Sequence, residues 1–196
     1  MIKNRPQKGR YDSPDQPFKV TIMKFASTTV QTTFKSPIGQ MTIAATDKGL
    51  AGLWFDGQRH LPAELTGEAV WPAAPDDPVL KQTSQQLTEY FAGERSSFEL
   101  PLDLSYGTPF QQSVWQALLN ISQGDTASYG EISHRIGKPA AVRAVGAAVG
   151  RNPVSVIVPC HRVVGANGAL TGYAGGLDKK TALLRLEGVL LKEATT

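Results

Sequence analysis

A thiol, an imidazole and a guanidinium stand side by side at Cys160, His161 and Arg162, and the thiol is the only one in 196 residues. A thiolate is the best soft nucleophile that side chains offer, and an imidazole is a base that works near neutral pH. The triplet is read as a site for nucleophilic chemistry, although a lone cysteine is by itself more often a small buried hydrophobe. On an extended backbone Cys160 and His161 point to opposite sides, so the histidine cannot take the thiol proton directly. Activation has to be relayed or come from elsewhere in the chain, and Glu187 is the carboxylate that stands out for it. It shares a face with Leu183 and Leu184 and precedes Gly188 at the expected C-terminus of a helix, where a negative charge meets the negative end of the dipole. Nothing local favours a carboxylate there, so Glu187 is expected to serve function rather than folding.

The elements that must position these groups follow from the flanking sequence. Four of the five residues Val154 to Val158 are β-branched and apolar, which predicts a short strand buried on both faces and stopped by Pro159. Upstream, Thr108-Pro109-Phe110-Gln111 carries a Thr cap, a Pro at the first helical position and a Gln three residues after the cap. Phe110, Val114, Trp115, Leu118 and Ile121 form the buried face of the helix it opens. Ser128-Tyr129-Gly130-Glu131 repeats the capping box, Gly137-Lys138-Pro139 makes a turn, and a second helix starts at Pro139 or Ala140 and ends near Gly150. That is a helix-turn-helix pattern. Between Ala140 and Gly150 every side chain is Ala, Val or Gly except Arg143. A base-reading helix needs several long polar side chains, so if this one meets DNA it is expected to bind with little sequence readout, the Arg143 side chain replacing something in the base stack. The bland alternative is a helix close-packed in the core.

The N-terminal half reads as an antiparallel meander from Thr28 to Phe55, with turns at Ser36-Pro37-Ile38-Gly39 and Asp47-Lys48-Gly49. A proline-rich connection leads to a helix from Pro78 to Phe91, with Leu80, Ser84, Leu87 and Phe91 on one face and Gly93 closing it. The expected organisation is an arm without fixed structure over residues 1–22, an α/β domain over 23–99, a linker over 100–107 and a helical domain over 108–192.

Composition excludes several classes. With one cysteine and three scattered histidines, His60, His134 and His161, there is no intramolecular disulfide and no first shell for structural zinc, so no metal is expected. Lys24 interrupts the apolar stretch that a secretory signal would need, and no run is long enough to span a bilayer, which together point to a cytoplasmic protein. Residues 106–196 carry nine Lys and Arg against five Asp and Glu, whereas residues 25–105 carry five against ten. The basic C-terminal half has the sign that suits a polyanion.

Tyr129, the Arg143-Ala144-Val145-Gly146 tetrad, Asn152-Pro153, the run Pro159 to Val164, Gly172-Tyr173 and Glu187-Gly188 together resemble the O6-alkylguanine-DNA alkyltransferases, densely over Thr108 to Gly188. The N-terminal half fits only in its strand-then-helix layout, which resembles the family's ribonuclease H-like domain. The resemblance implies repair by direct reversal. An alkyl group would pass from O6 of guanine, and from O4 of thymine, to Cys160, once per chain and without a cofactor. His161 would act on Cys160 through a water, with Glu187 orienting the imidazole. Tyr129 would donate a hydrogen bond to guanine N3, and Asn152 would hold the turn between the recognition helix and the site. Arg143 would fill the space left by a flipped nucleotide in double-stranded DNA bound through its minor groove, with Ala140, Ala144, Gly146, Tyr129 and Arg151 also facing the DNA. Tyr129, Val163, Tyr173, Ala174 and Gly175 would line the base pocket. The implied protein is a monomer able to assemble cooperatively on DNA. Ala174 stands where some members carry serine, which removes a hydroxyl contact, and Val149 stands where many bacterial members carry asparagine. The rivals are a lesion-binding relative without transfer, which carries tryptophan at the cysteine position, a helix-turn-helix DNA-binding regulator, and a cysteine hydrolase.

Overall fold

The computed structural model describes residues 24–67 and 70–189; the arm expected over residues 1–22 lies outside them. Three strands, β1 (Val30–Ser36), β2 (Gly39–Thr46) and β3 (Gly49–Phe55), form an antiparallel meander in sequence order, as the turn residues predict. Ser36 pairs with Gly39 at the first turn and its hydroxyl donates to Gly39 O at 2.6 Å. Every residue of β3 is buried because both faces of the sheet are covered. Helix α1 (Pro78–Phe91) packs on one face, its first turn capped by the Asp77 carboxylate, which accepts from the Val79 and Leu80 amides. Trp54, Trp71 and Phe25 cluster on the other.

The buried side of α1 differs from the expected one: Leu80 and Leu87 are joined by Thr83, Gln86 and Tyr90, while Ser84 and Phe91 are only half-buried. The tyrosine faces inward because its hydroxyl finds a buried partner. The expected linker is not a free connector either. Leu50 N donates to Pro101 O and Asp103 N to Leu50 O, both at 2.8 Å, so residues 101–103 lie along β3. Farther along the same strand Leu53 N donates to Pro153 O and Ser155 N to Leu53 O, both at 2.9 Å. The outer edge of β3 thus holds the segment that leads into Cys160, and one apolar cluster runs from Met41 in β2 to Leu183 near the C-terminal end of the described chain.

The C-terminal half contains α2 (Pro109–Leu118), β4 (Ala127–Ser128), α3 (Tyr129–Arg135), α4 (Val142–Gly150), β5 (Val163–Val164) and α5 (Leu177–Leu186). Both expected capping boxes form, at Thr108 with Gln111 and at Ser128 with Glu131. The second helix of the helix-turn-helix starts later than expected, because residues Pro139–Ala141 make a tight 3-10 turn first. The Trp115 indole donates to Ala148 O at 2.9 Å and locks α2 to α4. Among the described residues no helix is long and apolar enough to cross a membrane.

The strand expected at Val154–Val158 does not form. All five residues are buried, as their composition demands, but only Val154 bridges to β3, and the chain then turns, with Val156 at φ 71°. A β-branched residue in that region is strained and persists only where its surroundings hold it. Here the Asn152 side chain occupies the inside of the turn and supplies hydrogen bonds that a neighbouring strand would otherwise provide.

Candidate functional site

Cys160 begins a 3-10 turn, Cys160–Arg162, that follows Pro159 and runs into β5. β5 pairs in parallel with β4, so the segment after the thiol is tied to the residue that caps α3. Asn152, just beyond α4, organises the approach. Its amide Nδ2 donates to Val158 O at 2.7 Å and to Cys160 Sγ at 3.0 Å, while its Oδ1 accepts from Val154 N at 3.0 Å. One buried amide therefore closes the turn and contacts the sulfur. Cys160 is 4% exposed. Burial pushes its thiol above the ordinary value, only partly offset by the Asn152 hydrogen bond and the charge of Lys180. The cysteine is thus a thiol at neutral pH and needs a base at the moment it reacts.

The expectation of opposed side chains rested on extended backbone and lapses with the 3-10 turn. What the structure shows instead is a histidine bound at one end. His161 Nε2 and Glu187 Oε1 are 2.9 Å apart, and both side chains are fully buried. On the other side of the ring, Nδ1 is buried without a hydrogen-bond partner. Burial holds the imidazole below its usual pKa; Glu187 counteracts this, and Arg162 and Lys180 add to it. The ring is neutral at pH 7, with Glu187 favouring the proton on Nε2 and leaving Nδ1 as the acceptor.

Glu187 caps the C-terminus of α5 and is 6% exposed. Its Oε2 accepts from Arg162 Nε at 2.9 Å, and its Oε1 accepts from Arg162 Nη2 at 2.8 Å and from the Tyr90 hydroxyl at 2.7 Å. Burial would raise its pKa, but the hydrogen bonds and charges of His161 and Arg162 outweigh that and hold it at about 2. This corrects the expectation that Glu187 serves function rather than folding: it is the hub of a buried network that joins α1, the cysteine turn and α5. Arg162 also donates Nη1 to Ile121 O. Reading local sequence missed Tyr90, because its partner lies 97 residues away.

Lys180 was also missed. Fully buried, its ammonium donates to Thr171 O at 2.7 Å and to Val163 O, and burial lowers its pKa to about 8. It pins the loop between β5 and α5. No local signal marks it, since two consecutive lysines in a helix lie about 100° apart and both can face solvent.

The remaining expected residues fall into two groups. Tyr129 opens α3 and is wedged between α4 and the loop: a methyl group at Gly146 would touch its ring at 3.8 Å, and one at Gly172 would come within 4.0 Å of its hydroxyl. Tyr173 is buried, and Ala174 and Gly175 are half-buried beside it. The three line a recess of about 460 Å³ together with Gly57 and Arg59, whereas Tyr129, Val163 and Cys160 do not border it. Arg59, from the loop after β3, donates Nη2 to Tyr173 O and its amide to Ala174 O, each at 3.0 Å. Gly175 admits this contact between halves, since a side chain there would meet Tyr173 at 3.0 Å and Phe55 at 3.1 Å.

On α4, Val145, Ala148 and Val149 are buried, Arg143, Ala144 and Ala147 are exposed and Gly146 is half-buried; Ala140, in the 3-10 turn before it, is exposed and Arg151, just after it, is half-buried. One face of the run therefore packs in the core, and the exposed small residues do not. They form a smooth outer surface from which Arg143 projects, with no ion pair to it among the described residues. Among the described residues no group of three or more His, Cys, Asp or Glu could hold a metal ion.

Two family models match the chain. The ribonuclease-like domain of 6-O-methylguanine DNA methyltransferase matches residues 29–104, and the DNA-binding domain of 6-O-methylguanine DNA methyltransferase matches residues 109–189. A methylated-DNA–protein-cysteine methyltransferase of Mycobacterium tuberculosis is 50% identical over 155 residues, covering 79% of this chain and 90% of its own. One of Methanosarcina acetivorans is 48% identical over 156 residues, covering 79% and 96%. The crystal structure of the Mycobacterium tuberculosis O6-methylguanine methyltransferase superposes with a TM-score of 0.72 at 48% identity, covering 81% of this chain and 92% of that one. The structure of Mycobacterium tuberculosis OGT in complex with DNA matches equally well.

Proposed function

This chain belongs to the 6-O-methylguanine DNA methyltransferase family, and from that premise we propose that Cys160 is the acceptor to which the alkyl group of O6-alkylguanine is transferred. The activity is DNA repair by alkyl transfer to a cysteine of the protein itself, with DNA as the partner. The observation that carries the assignment to Cys160 is the buried chain of contacts around it. Asn152 touches the sulfur, and the adjacent His161 is bound by Glu187 at Nε2 with Nδ1 left to accept a proton.

The chemistry follows from these groups. The thiol proton passes through a water to His161 Nδ1, and the imidazolium is stabilised by the Glu187 carboxylate on its far side. The sulfur attacks the alkyl carbon, a C–S bond forms, and the C–O6 bond breaks with its electron pair going to the base. The Tyr129 hydroxyl, at the junction of α3, α4 and the loop, donates to N3 and bears part of the charge that the departing guanine gains. O4 of thymine presents the same kind of alkyl ether and is a second substrate.

The target carbon lies inside the duplex, so the nucleotide must leave the stack. Helix α4 supplies the surface for this: Ala140, Ala144 and Gly146 let it approach the minor groove, Arg143 takes the vacated place, and Tyr129 and Arg151 flank it. We assign Val163, Tyr173, Ala174 and Gly175 to the receiving pocket, although only the last three line one recess and that recess does not reach Val163 or Cys160. The protein acts as a monomer, with cooperative assembly on DNA. Transfer needs no cofactor. Incubation with DNA containing O6-methylguanine followed by mass spectrometry tests the assignment: one methyl group on Cys160 is expected, and methylation elsewhere, or none, refutes it.

A further inference from the structure

Glu187 is held in part from the other half of the molecule. Tyr90 stands near the end of α1 with its ring against Phe91 and Phe98, at centroid distances of 5.2 and 5.3 Å. Its hydroxyl makes one hydrogen bond, to Glu187 Oε1 at 2.7 Å. That oxygen also faces His161 Nε2 at 2.9 Å and Arg162 Nη2 at 2.8 Å, whereas Oε2 meets only Arg162 Nε. Three donors compete for one oxygen, and each takes a share of the negative charge that the others could use.

We propose that Tyr90 is a positioning residue of the proton relay: its hydroxyl draws charge from Glu187 Oε1 and so sets how tightly His161 holds the proton it takes from Cys160. The inference rests on reading Cys160, His161 and Glu187 as that relay. It makes the N-terminal half part of the reaction even for a substrate that never touches DNA. Removing the hydroxyl leaves the carboxylate in place, because Arg162 grips both of its oxygens. The charge released goes to His161, the imidazolium becomes more stable, and the ring protonates at higher pH.

The groups facing His161 allow a clean reading. Glu187 and Lys180 come from α5, Cys160 and Arg162 from its own turn, Tyr173 from the loop before α5, and Tyr90 from α1 through Glu187. Glu187 titrates at about 2 and Lys180 at about 8, while Cys160, Tyr90 and Tyr173 are all raised above their ordinary values. With Glu187 ionised and Lys180 charged below neutral pH, a change of charge in this set on the acid side belongs to His161, whose pKa burial lowers.

The test is the rate of Cys160 alkylation by free O6-benzylguanine from pH 4.5 to 8 in the full chain, with the His161 ring nitrogens followed by NMR over the same range. In Tyr90→Phe the acid limb of the rate profile and the imidazole titration should both move up by about half a pH unit or more. Replacing Tyr90 by 3-fluorotyrosine keeps the ring and makes the hydroxyl a stronger donor, so both should move down; this variant decides the matter if Tyr90→Phe does not fold. An acid limb at the same pH in wild type and variant, whatever the change in melting temperature, would make Tyr90 a packing residue and overturn the inference. So would a downward shift in Tyr90→Phe, which would mean that Glu187 had left the ring. If the wild type itself transfers nothing to Cys160, it is the relay reading that fails.

Discussion

Replacing Glu187 by glutamine keeps the shape of the side chain and removes its charge, and the network around it lets the cost be worked out. A carboxyl held at about 2 rather than 4.5 contributes about 3 kcal/mol to stability at neutral pH. The same substitution strands the buried Arg162 guanidinium, and removing one partner of a buried pair costs about 3–5 kcal/mol. These describe one interaction from its two ends and do not add, so a loss of about 3–4 kcal/mol at pH 7 is expected. The sign with pH follows from the lowered value. The contribution is complete above the unfolded carboxyl's 4.5 and is lost as pH falls toward 2, so at pH 3.5 the difference between wild type and variant should be smaller by roughly 1.4 kcal/mol. Urea unfolding of both proteins at pH 7 and pH 3.5 measures it. Alkyl transfer should slow by about 10²-fold in the same variant, because the imidazolium loses its counter-charge. A loss under about 1 kcal/mol at pH 7, or the same loss at both pH values, would show that the network does not hold Glu187 as described. Transfer at the wild-type rate would remove it from the relay.

Arg143→Ala should slow repair of a lesion paired in duplex DNA by about tenfold or more, equivalent to about 1.4 kcal/mol, while changing the rate with free O6-benzylguanine far less, because only the duplex substrate must be unstacked. Equal losses on the two substrates would assign the arginine to the fold instead. Transfer should stop at one alkyl group per chain, since a thioether offers no good leaving group and no second cysteine exists to relieve Cys160; release of the corresponding alcohol with continued turnover would revive a hydrolase mechanism. Exhaustive chelation should leave the transfer rate unchanged, and loss of activity would mean that transfer depends on a metal.

Features that are local in origin were legible in the residues alone. Turn residues separated by seven or eight residues specify the meander of β1 to β3, and Pro78, Thr108-Pro109 and Ser128 specify where α1, α2 and α3 begin, because caps and turns are satisfied by neighbours along the chain. The chemical types at Cys160, His161 and Glu187, and the bare surface around Arg143, were equally legible. The rest depends on contacts between distant parts of the chain. Val154–Val158 has the composition of a strand, yet it folds as a turn because Asn152 and the edge of β3 satisfy its backbone, and burial alone does not distinguish the two. Glu187 has no local reason to exist. Its value of about 2 comes from His161 and Arg162, and its dual role from these and Tyr90, which the fold brings to it from two distant stretches of chain. Lys180, Arg59 and Tyr90 look like ordinary helix and loop residues until their partners are known, since a hydrogen bond across 9, 114 or 97 residues leaves no periodicity to read.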